Sequence, residues 1–203
     1  TATMRYTTDG SDPTTSTPTT VASGGTVSVT QSTTLKVKAW RTGYLASNTT
    51  TALYELKVVT PSATPGTGAY GTAQNVTLST TTSGATIRYT LDGSMPTDST
   101  GLVYTGPIHI SRTVVVRAAA FKPGYTPTNV DSESYLFLDQ VIRQGKTIPG
   151  FPTTFGSVGA DYEMDQRIVN DAQYASKIID ALRAVPTMSI SLKPGDFLGA
   201  NGI

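Results

Sequence analysis

Acidic side chains alternate along one short segment of the sequence, where Asp161, Glu163 and Asp165 stand two residues apart. Carboxylate oxygens are preferred ligands of Ca²⁺, so this spacing is typical of the opening of a calcium-binding loop. The glycine and the closing bidentate glutamate of an EF-hand loop do not follow it. We therefore expect a solvated acidic loop, with calcium as the alternative, and no other cofactor.

The residues expected of an enzyme do not form a familiar pattern. His109 is the only histidine, and it alternates with Ile108 and Ile110, so a strand would turn it to the exposed face. The chain contains neither a G-x-S-x-G nucleophile elbow nor a glycine-rich phosphate loop. Paired carboxylates for glycoside hydrolysis could come only from residues 161–165. We expect no catalysis in this chain, while the activity of a longer parent polypeptide stays open.

Four aromatic residues offer a different chemistry, because sugar-binding modules stack pyranose rings on exposed aromatic faces. Trp40 and Phe121 occupy matching places in two similar stretches, and so do Tyr44 and Tyr125. Packing at a strand end and at the edge of a β-sandwich explains the recurrence equally well. We expect packing, with a carbohydrate platform as the alternative.

The matching stretches belong to an internal repeat. Residues 2–14 resemble residues 85–97 at an offset of 83, and residues 40–44 resemble residues 121–125 at an offset of 81. The difference of two residues between the offsets indicates a small deletion in a loop. A unit of this length that occurs twice predicts two small domains rather than one large one.

Short strands separated by turns predict the fold class. Asp9 and Asp92 each begin a turn with Gly, Ser and Pro, and one carboxylate per turn suits an Asx turn better than a cation site. Apolar and polar residues alternate in residues 4–7, 27–30, 35–39, 76–79, 87–90 and 108–110, and the apolar-rich stretches 54–59 and 114–118 continue the series. The expected fold is mainly β, with two tandem immunoglobulin/fibronectin-like β-sandwiches and a C-terminal α+β segment.

The predicted domains follow the repeat. Residues 1–57 form the first sandwich, 58–66 a linker, 67–138 the second sandwich, and 139–203 a loop, helix and strand that begin a further domain. The first copy has nothing that corresponds to residues 68–78, so it lacks its opening strand. Either upstream sequence supplies that strand, or a partner adds it at the sheet edge.

The C-terminal segment combines one helix with one strand. Asn170 or Asp171 can cap a helix that Pro186 ends. The apolar positions of this helix are Ala175, Ile178, Ile179 and Leu182. Met188, Ile190 and Leu192 then alternate with serines, which predicts a strand.

The composition of the 203-residue chain excludes several classes of partner. Charged residues make up 14% of it and the formal net charge is +1, so the basic surface needed for nucleic acid is missing. No apolar run approaches the length of a membrane span. The absence of cysteine excludes disulfides and thiolate chemistry, and a Thr-rich, cysteine-free β chain fits a secreted bacterial protein.

Residues 87–97, 104–108, 116–118 and 121–125 together resemble the fibronectin type III-associated, chitobiase C-terminal-like β-sandwich modules. The resemblance covers residues 67–138 well and residues 1–57 in part. Such modules recur in large secreted and surface proteins of bacteria and in multidomain glycoside hydrolases. The resemblance implies an accessory module without catalytic residues.

Residues 150–156, 161–165 and 185–190 resemble the segment that precedes and begins a spore-coat-protein-H-like atypical kinase domain. Residues 196–199 and 202–203 fit the family's following turns loosely. The resemblance implies that the nucleotide- and metal-binding residues of such a kinase would lie beyond Ile203.

The sequence therefore favours non-catalytic spacer, scaffold or adhesion modules of a larger extracellular or cell-surface bacterial protein, in a fibre or surface assembly. Carbohydrate-binding accessory modules, and a support for a downstream kinase, are the alternatives. The expected partners are other domains of the same polypeptide, copies joined by strand addition at the first repeat, and polysaccharide. Nucleic acid and membrane insertion are not expected.

Overall fold

A computed structural model describes residues 1–188 and 190. The chain is mainly β and divides into two compact units. Unit 1 comprises Thr1–Val58 together with Phe121–Thr128, and unit 2 comprises Val59–Ala120 together with the residues from Asn129 onward. The short segment 121–128 therefore belongs with the first repeat, although it follows a strand of the second.

Unit 1 contains one antiparallel sheet of four strands. These are β1 (Thr3–Thr7), β2 (Thr20–Val21), β3 (Thr33–Trp40) and β4 (Thr50–Tyr54), in the order β2-β1-β3-β4. All eight residues of β3 are half-buried. Alternation in this unit therefore produces strands without a fully buried layer beneath them.

Unit 2 contains two sheets, as expected of a β-sandwich. The strands are β5 (Ser62–Thr64), β6 (Gly68–Ala69), β7 (Gln74–Ser79), β8 (Thr86–Thr90), β9 (Leu102–Val103), β10 (Ile108–Ile110), β11 (Val114–Phe121) and β12 (Asp131–Leu136). One sheet has the order β6-β12-β11-β8-β9 and the other has the order β10-β7-β5. Its buried core includes Val76, Leu78, Ile108, Ile110, Val116, Ala118, Ala120 and Tyr135.

The registers of the two units show that the repeat is structural. In unit 1 Arg5 lies opposite Thr20, and in unit 2 Arg88 lies opposite Val103, each 83 residues later. Thr33 lies opposite Tyr54, and β11 and β12 repeat that pairing 81 residues later. The fold class is therefore confirmed. The four-stranded order of unit 1 recurs within the five-stranded sheet of unit 2, and among the described residues a second sheet of the sandwich is present in unit 2 alone.

The strand predicted for residues 27–30 does not form, and this part of the interpretation is wrong. Its counterpart β10 pairs with β7, Ile108 lying opposite Val76. The described part of unit 1 has no counterpart of β7, so residues 27–30 have no neighbour for their backbone hydrogen bonds. Residues 27–30 have the alternation of a strand, but they do not form one because the neighbouring strand with which they would pair is missing from the described part of the unit.

Strand β5 lies inside the segment 58–66 that the sequence assigned to a linker. Ala63 pairs with Leu78 of β7, and Val58 is buried. The small and polar residues 62–64 predict a loop when they are considered alone. In the structure they form a strand because the edge of β7 is free to pair with them.

Short helices and one hairpin follow β12. They are α1 (Leu138–Val141), β13 (Thr154–Phe155), β14 (Val158–Gly159), α2 (Gln166–Val169) and α3 (Ile178–Ala184). The predicted helix is real but begins at Ile178, later than the predicted cap at residues 170–171. Asp171 instead accepts a hydrogen bond from the Gln173 N–H (2.7 Å) in a turn. Of the predicted strand 188–192, only Met188 and Ile190 are among the described residues. Residues 196–203, which enter the kinase-like resemblance, lie outside the described residues.

Candidate functional site

The two Asp-Gly-Ser turns are Asx turns with the same geometry. Asp9 Oδ1 accepts hydrogen bonds from the Ser11 N–H (3.0 Å) and hydroxyl (2.6 Å), and Asp92 does the same with Ser94 at the same distances. The hydroxyl and then the amide of Ser11 lower the pKa of Asp9 below its usual range. Each carboxylate thus closes its own turn, as the sequence predicts.

The acidic loop is engaged in local contacts. Asp161 accepts a hydrogen bond from the Glu163 N–H (3.2 Å), and Asp165 accepts one from the Arg167 N–H (2.9 Å), which caps α2. The guanidinium of Arg167 also pairs with Asp165 at 2.7 Å and holds the pKa of that carboxyl below its usual range. Within residues 1–188 and 190, no three acidic, histidine or cysteine side chains converge as metal ligands.

Trp40 lines a recess of unit 1. The recess has a volume of about 220 Å³, and it is lined by Thr1, Thr3, Arg5, Thr15, Trp40, Arg41 and Thr42. The Lys38 ammonium lies 5.9 Å from the centre of the indole ring, at the outer limit of a cation–π contact. The arrangement joins a half-buried indole, two guanidinium groups and several threonine hydroxyls, a combination that can stack on a sugar ring and donate hydrogen bonds to it.

Tyr44 and Tyr125 stand on identical turns. In each turn the tyrosine N–H donates to a carbonyl three residues earlier, that of Arg41 or Lys122, at 3.1 Å. The cation of that same residue covers one face of the ring, at 4.6 Å for Arg41 and 4.4 Å for Lys122. A glycine at positive φ, Gly43 or Gly124, precedes each tyrosine and permits the tight turn.

The aromatic members of these turns were predicted from the sequence, whereas the contacts of their cations were not. The signal was present, because a basic residue stands three positions before the tyrosine in both copies. Phe121, the counterpart of Trp40, is half-buried and ends β11. Of the four aromatic candidates, Trp40 lines the recess, Tyr44 and Tyr125 stand on cation-covered turns, and Phe121 belongs to neither.

The inner face of the unit 1 sheet is more exposed than its counterpart in unit 2. Leu35, Val37 and Ala39 are half-buried, whereas the equivalent Val116, Ala118 and Ala120 are fully buried. Tyr54 is 42% exposed, while its equivalent Tyr135 is 0% exposed and donates its hydroxyl to Pro65 O at 2.6 Å. In unit 2 the strands β5, β7 and β10 provide the covering layer that unit 1 lacks.

No helix in the part of the chain that the structure describes is long and apolar enough to cross a membrane.

His109 is exposed on β10, and its Nδ1 lies 3.2 Å from Asn75 Oδ1 across the strand pair. This contact is a cross-strand polar pair on the outer face, in agreement with the expected orientation of His109.

Comparisons with known proteins agree with this architecture. Residues 65–132 match the family model described as the chitobiase/beta-hexosaminidase C-terminal domain, and residues 1–54 match the one described as Fn3 associated. Comparisons with curated proteins and with solved structures returned no match. The findings do not support the kinase-like resemblance of the C-terminal segment. Domains of both matched kinds are non-catalytic accessory modules typical of extracellular proteins. The chain thus carries two tandem β modules, the first with one sheet and the second with two, similar to Fn3-associated domains in residues 1–54 and to chitobiase C-terminal domains in residues 65–132.

Proposed function

We propose that this chain provides spacer or scaffold modules of a larger extracellular bacterial protein, in a fibre or surface assembly. The observation that carries the proposal is the repeated module itself. In both copies the aspartate of the Asp-Gly-Ser turn closes that turn, because Asp9 and Asp92 accept hydrogen bonds from their own serines. Families of accessory modules match both copies.

A module exchange in the parent polypeptide tests the spacer role. Residues 1–138 would be replaced by two unrelated β-sandwich domains of similar length. We expect the exchanged protein to keep the surface display and activity of its other domains, because a spacer contributes length and folding rather than recognition. A matched deletion of the same residues should impair them. Failure of the exchanged protein, with normal expression, would contradict the spacer role.

Carbohydrate binding is a second candidate, favoured by the recess beside Trp40. An aromatic face with hydroxyl donors suits a sugar ring, and the guanidinium groups of Arg5 and Arg41 favour a sugar that carries a carboxylate. Arg5 already donates a hydrogen bond to Thr17 O, and the guanidinium of Arg41 lies over the Tyr44 ring. A guanidinium stacked on a ring keeps its N–H edge for hydrogen bonds, so Arg41 is the better candidate for contact with a uronic acid.

Affinity electrophoresis separates the two candidates. The chain would be run through gels that contain polygalacturonate, hydroxyethyl cellulose or no polysaccharide. Binding predicts retardation in polygalacturonate that Trp40→Ala and Arg41→Met abolish, while Tyr174→Ala, a change of an exposed tyrosine in unit 2, retains it. Equal mobility in all three gels would remove the carbohydrate candidate and leave the scaffold role.

Support of a downstream kinase is not favoured by any contact of the described residues. The acidic side chains 161–165 that enter this resemblance form local turns and a helix cap. Reading the parent sequence after Ile203 decides this alternative.

A further inference from the structure

One of the two Gly-Tyr turns is hydrogen-bonded to the backbone of residues 32 and 56–58, and the other is free. The seated turn is residues 121–128, which belong to unit 1. Its counterpart is the turn of residues 41–46, at an offset of 81. In that free turn Tyr44 is 67% exposed and Leu45 is 98% exposed. The same local structure therefore occurs once with a seat and once without.

Backbone hydrogen bonds hold the seated turn. The Ser32 N–H donates to Gly124 O at 2.6 Å. The Thr126 N–H donates to Leu56 O at 2.8 Å, and Thr126 O accepts from the Val58 N–H at 3.0 Å, which together form a parallel β-bridge around Lys57. The side chain of Thr126 adds a hydrogen bond to Glu55 at 3.1 Å. Gln31, Ser32 and residues 55–58, which contact this turn, are called the seat below.

The glycine of the seated turn touches the seat. A Cβ atom at Gly124 would lie 2.7 Å from Gln31 Cβ, closer than real Cβ contacts allow. The equivalent Gly43 has positive φ as well, and a Cβ there would meet nothing within 4 Å. Close approach to a neighbour therefore explains the glycine in one turn, and the same neighbour is missing from the other.

The backbone groups that would fill a seat are present in the free turn. Gly43 O corresponds to Gly124 O, and the N–H and C=O of Leu45 correspond to those of Thr126. Within the described residues, none of these three groups has a hydrogen-bond partner. These are the groups through which the other turn is bound.

A hydroxyl bridge marks the seat in both modules. Ser32 Oγ accepts from the Leu56 N–H at 3.0 Å, and Thr113 Oγ1 accepts from the Phe137 N–H at 3.0 Å. The Thr113 N–H, however, donates to the side chain of Gln140, which follows Leu138 in α1, at 3.2 Å. In unit 2 the donor that would bind a turn is thus already occupied.

From this pairing we propose that the turn of residues 41–46 is a docking site for another β-module of this class. The partner presents a seat that is not yet occupied. This seat consists of one backbone N–H at the position equivalent to Ser32 and of the backbone groups at positions equivalent to Leu56–Val58. The inference rests on the geometry of the repeat and does not depend on the proposed extracellular role. The contact area is small, so we expect low affinity between separate chains. Between modules of one polypeptide the effective concentration is high, so the same contact can form.

Grafting tests whether the free turn fits a seat. The substitutions Lys122→Arg, Pro123→Thr and Thr126→Leu give the seated turn the sequence of residues 41–45. Hydrogen exchange of the Ser32 and Val58 amides reports the seat. We expect their protection to stay close to that of the unaltered chain, while Gly124→Val lowers it roughly tenfold or more by losing the contact. Equal loss in the grafted chain would overturn the proposal.

Titration tests docking between chains. Unlabelled chain that carries Gly124→Val or Thr126→Pro would be added to the ¹⁵N-labelled unaltered chain. Each substitution should remove the turn from its own seat and leave that seat open. We expect saturable amide shifts at residues 41–46. Gly43→Val in the labelled chain should abolish these shifts, and Gly84→Val, at another positive-φ glycine with open space around it, should retain them. Unlabelled unaltered chain, whose seat is filled, should cause no shifts.

Two results would overturn docking. They are an absence of shifts when both vacated chains are folded, and equal shifts with the unaltered partner. If neither vacated chain folds, the grafted chain still decides the question.

Discussion

At the scale of single residues, the two copies use the same chemistry for turns and different chemistry beside them. Asp12 pairs with Lys36 at 2.7 Å in unit 1. At the equivalent places unit 2 has Met95 and Arg117, whose guanidinium donates to Gly93 O at 2.8 Å. The Asx turns are therefore the constant part of the repeat, and the ion pair is replaceable.

Removal of the Ser11 hydroxyl should raise the pKa of Asp9. The native pKa lies below the value of the unfolded chain, so folding releases protons between the two values and stability falls as the pH drops through the native pKa. Ser11→Ala removes the stronger cause of the shift and should shrink this acid-sensitive window. Carboxyl ¹³C titration by NMR measures it, with Ser94→Ala as the control. An unchanged Asp9 titration in Ser11→Ala would contradict the assignment.

Tyr135→Phe should cost about 1 kcal/mol of unfolding free energy, because the Pro65 carbonyl loses its hydroxyl donor while the ring packing is kept. Tyr54→Phe, at the equivalent exposed position of unit 1, should change the free energy by less than about 0.5 kcal/mol. Urea denaturation of both variants checks the pair. Equal losses would mean that the two positions have the same environment.

Burial and neighbouring charge also raise the pKa of Tyr135. The native tyrosine stays protonated at a pH where an unfolded one ionises. Stability from this group is thus fully present below the ordinary tyrosine pKa and is lost as the pH rises above it.

At the scale of elements, the two units differ in the layer of strands that covers the sheet, which is present in unit 2 and missing from the described part of unit 1. Val116 of β11 is 1% exposed beneath that layer, while Val37 of β3 is half-buried. Val116→Ala should cost about 2 kcal/mol through lost burial and a cavity, and Val37→Ala should cost about half of that. Unfolding followed by circular dichroism gives both values. A larger loss for Val37→Ala would show that the unit 1 face is well covered.

A strand that resembles β7 should stabilise unit 1. A peptide with the sequence of residues 70–80 would offer Val76 and Leu78 to the exposed face and a backbone partner to residues 27–30. Trp40 is the only tryptophan, so its fluorescence follows unit 1. We expect the peptide to raise the unfolding midpoint seen by Trp40. The same peptide with both apolar residues changed to serine is the control, and an equal effect of the two peptides would contradict strand addition.

At the scale of the whole molecule, surface charge contributes little to stability. The ion pairs in the described part of the chain are exposed on at least one side, as in Lys36–Asp12, Arg167–Asp165 and Arg183–Asp180. Added sodium chloride should therefore leave the urea midpoint unchanged within error at neutral pH. A marked fall in the midpoint with salt would show that these pairs matter more than their exposure indicates.

The sequence by itself determined the duplication, the alternating strands and the turn chemistry, because each depends on residues close together in the chain. The Asp9 and Asp92 turns are examples, since every hydrogen bond in them spans two residues. The predicted orientation of His109 is another, because alternation alone sets the face of a strand.

Tertiary structure decided where a pattern becomes a strand and where a turn finds a partner. Residues 27–30 alternate correctly and remain irregular without a neighbour, whereas residues 62–64 lack a strand pattern and pair with β7. The free turn 41–46 and the seated turn 121–128 share a basic residue followed two positions later by Gly-Tyr, and they differ in what contacts them. Sheet hydrogen bonds and burial join residues far apart in the chain, so no local pattern can specify them.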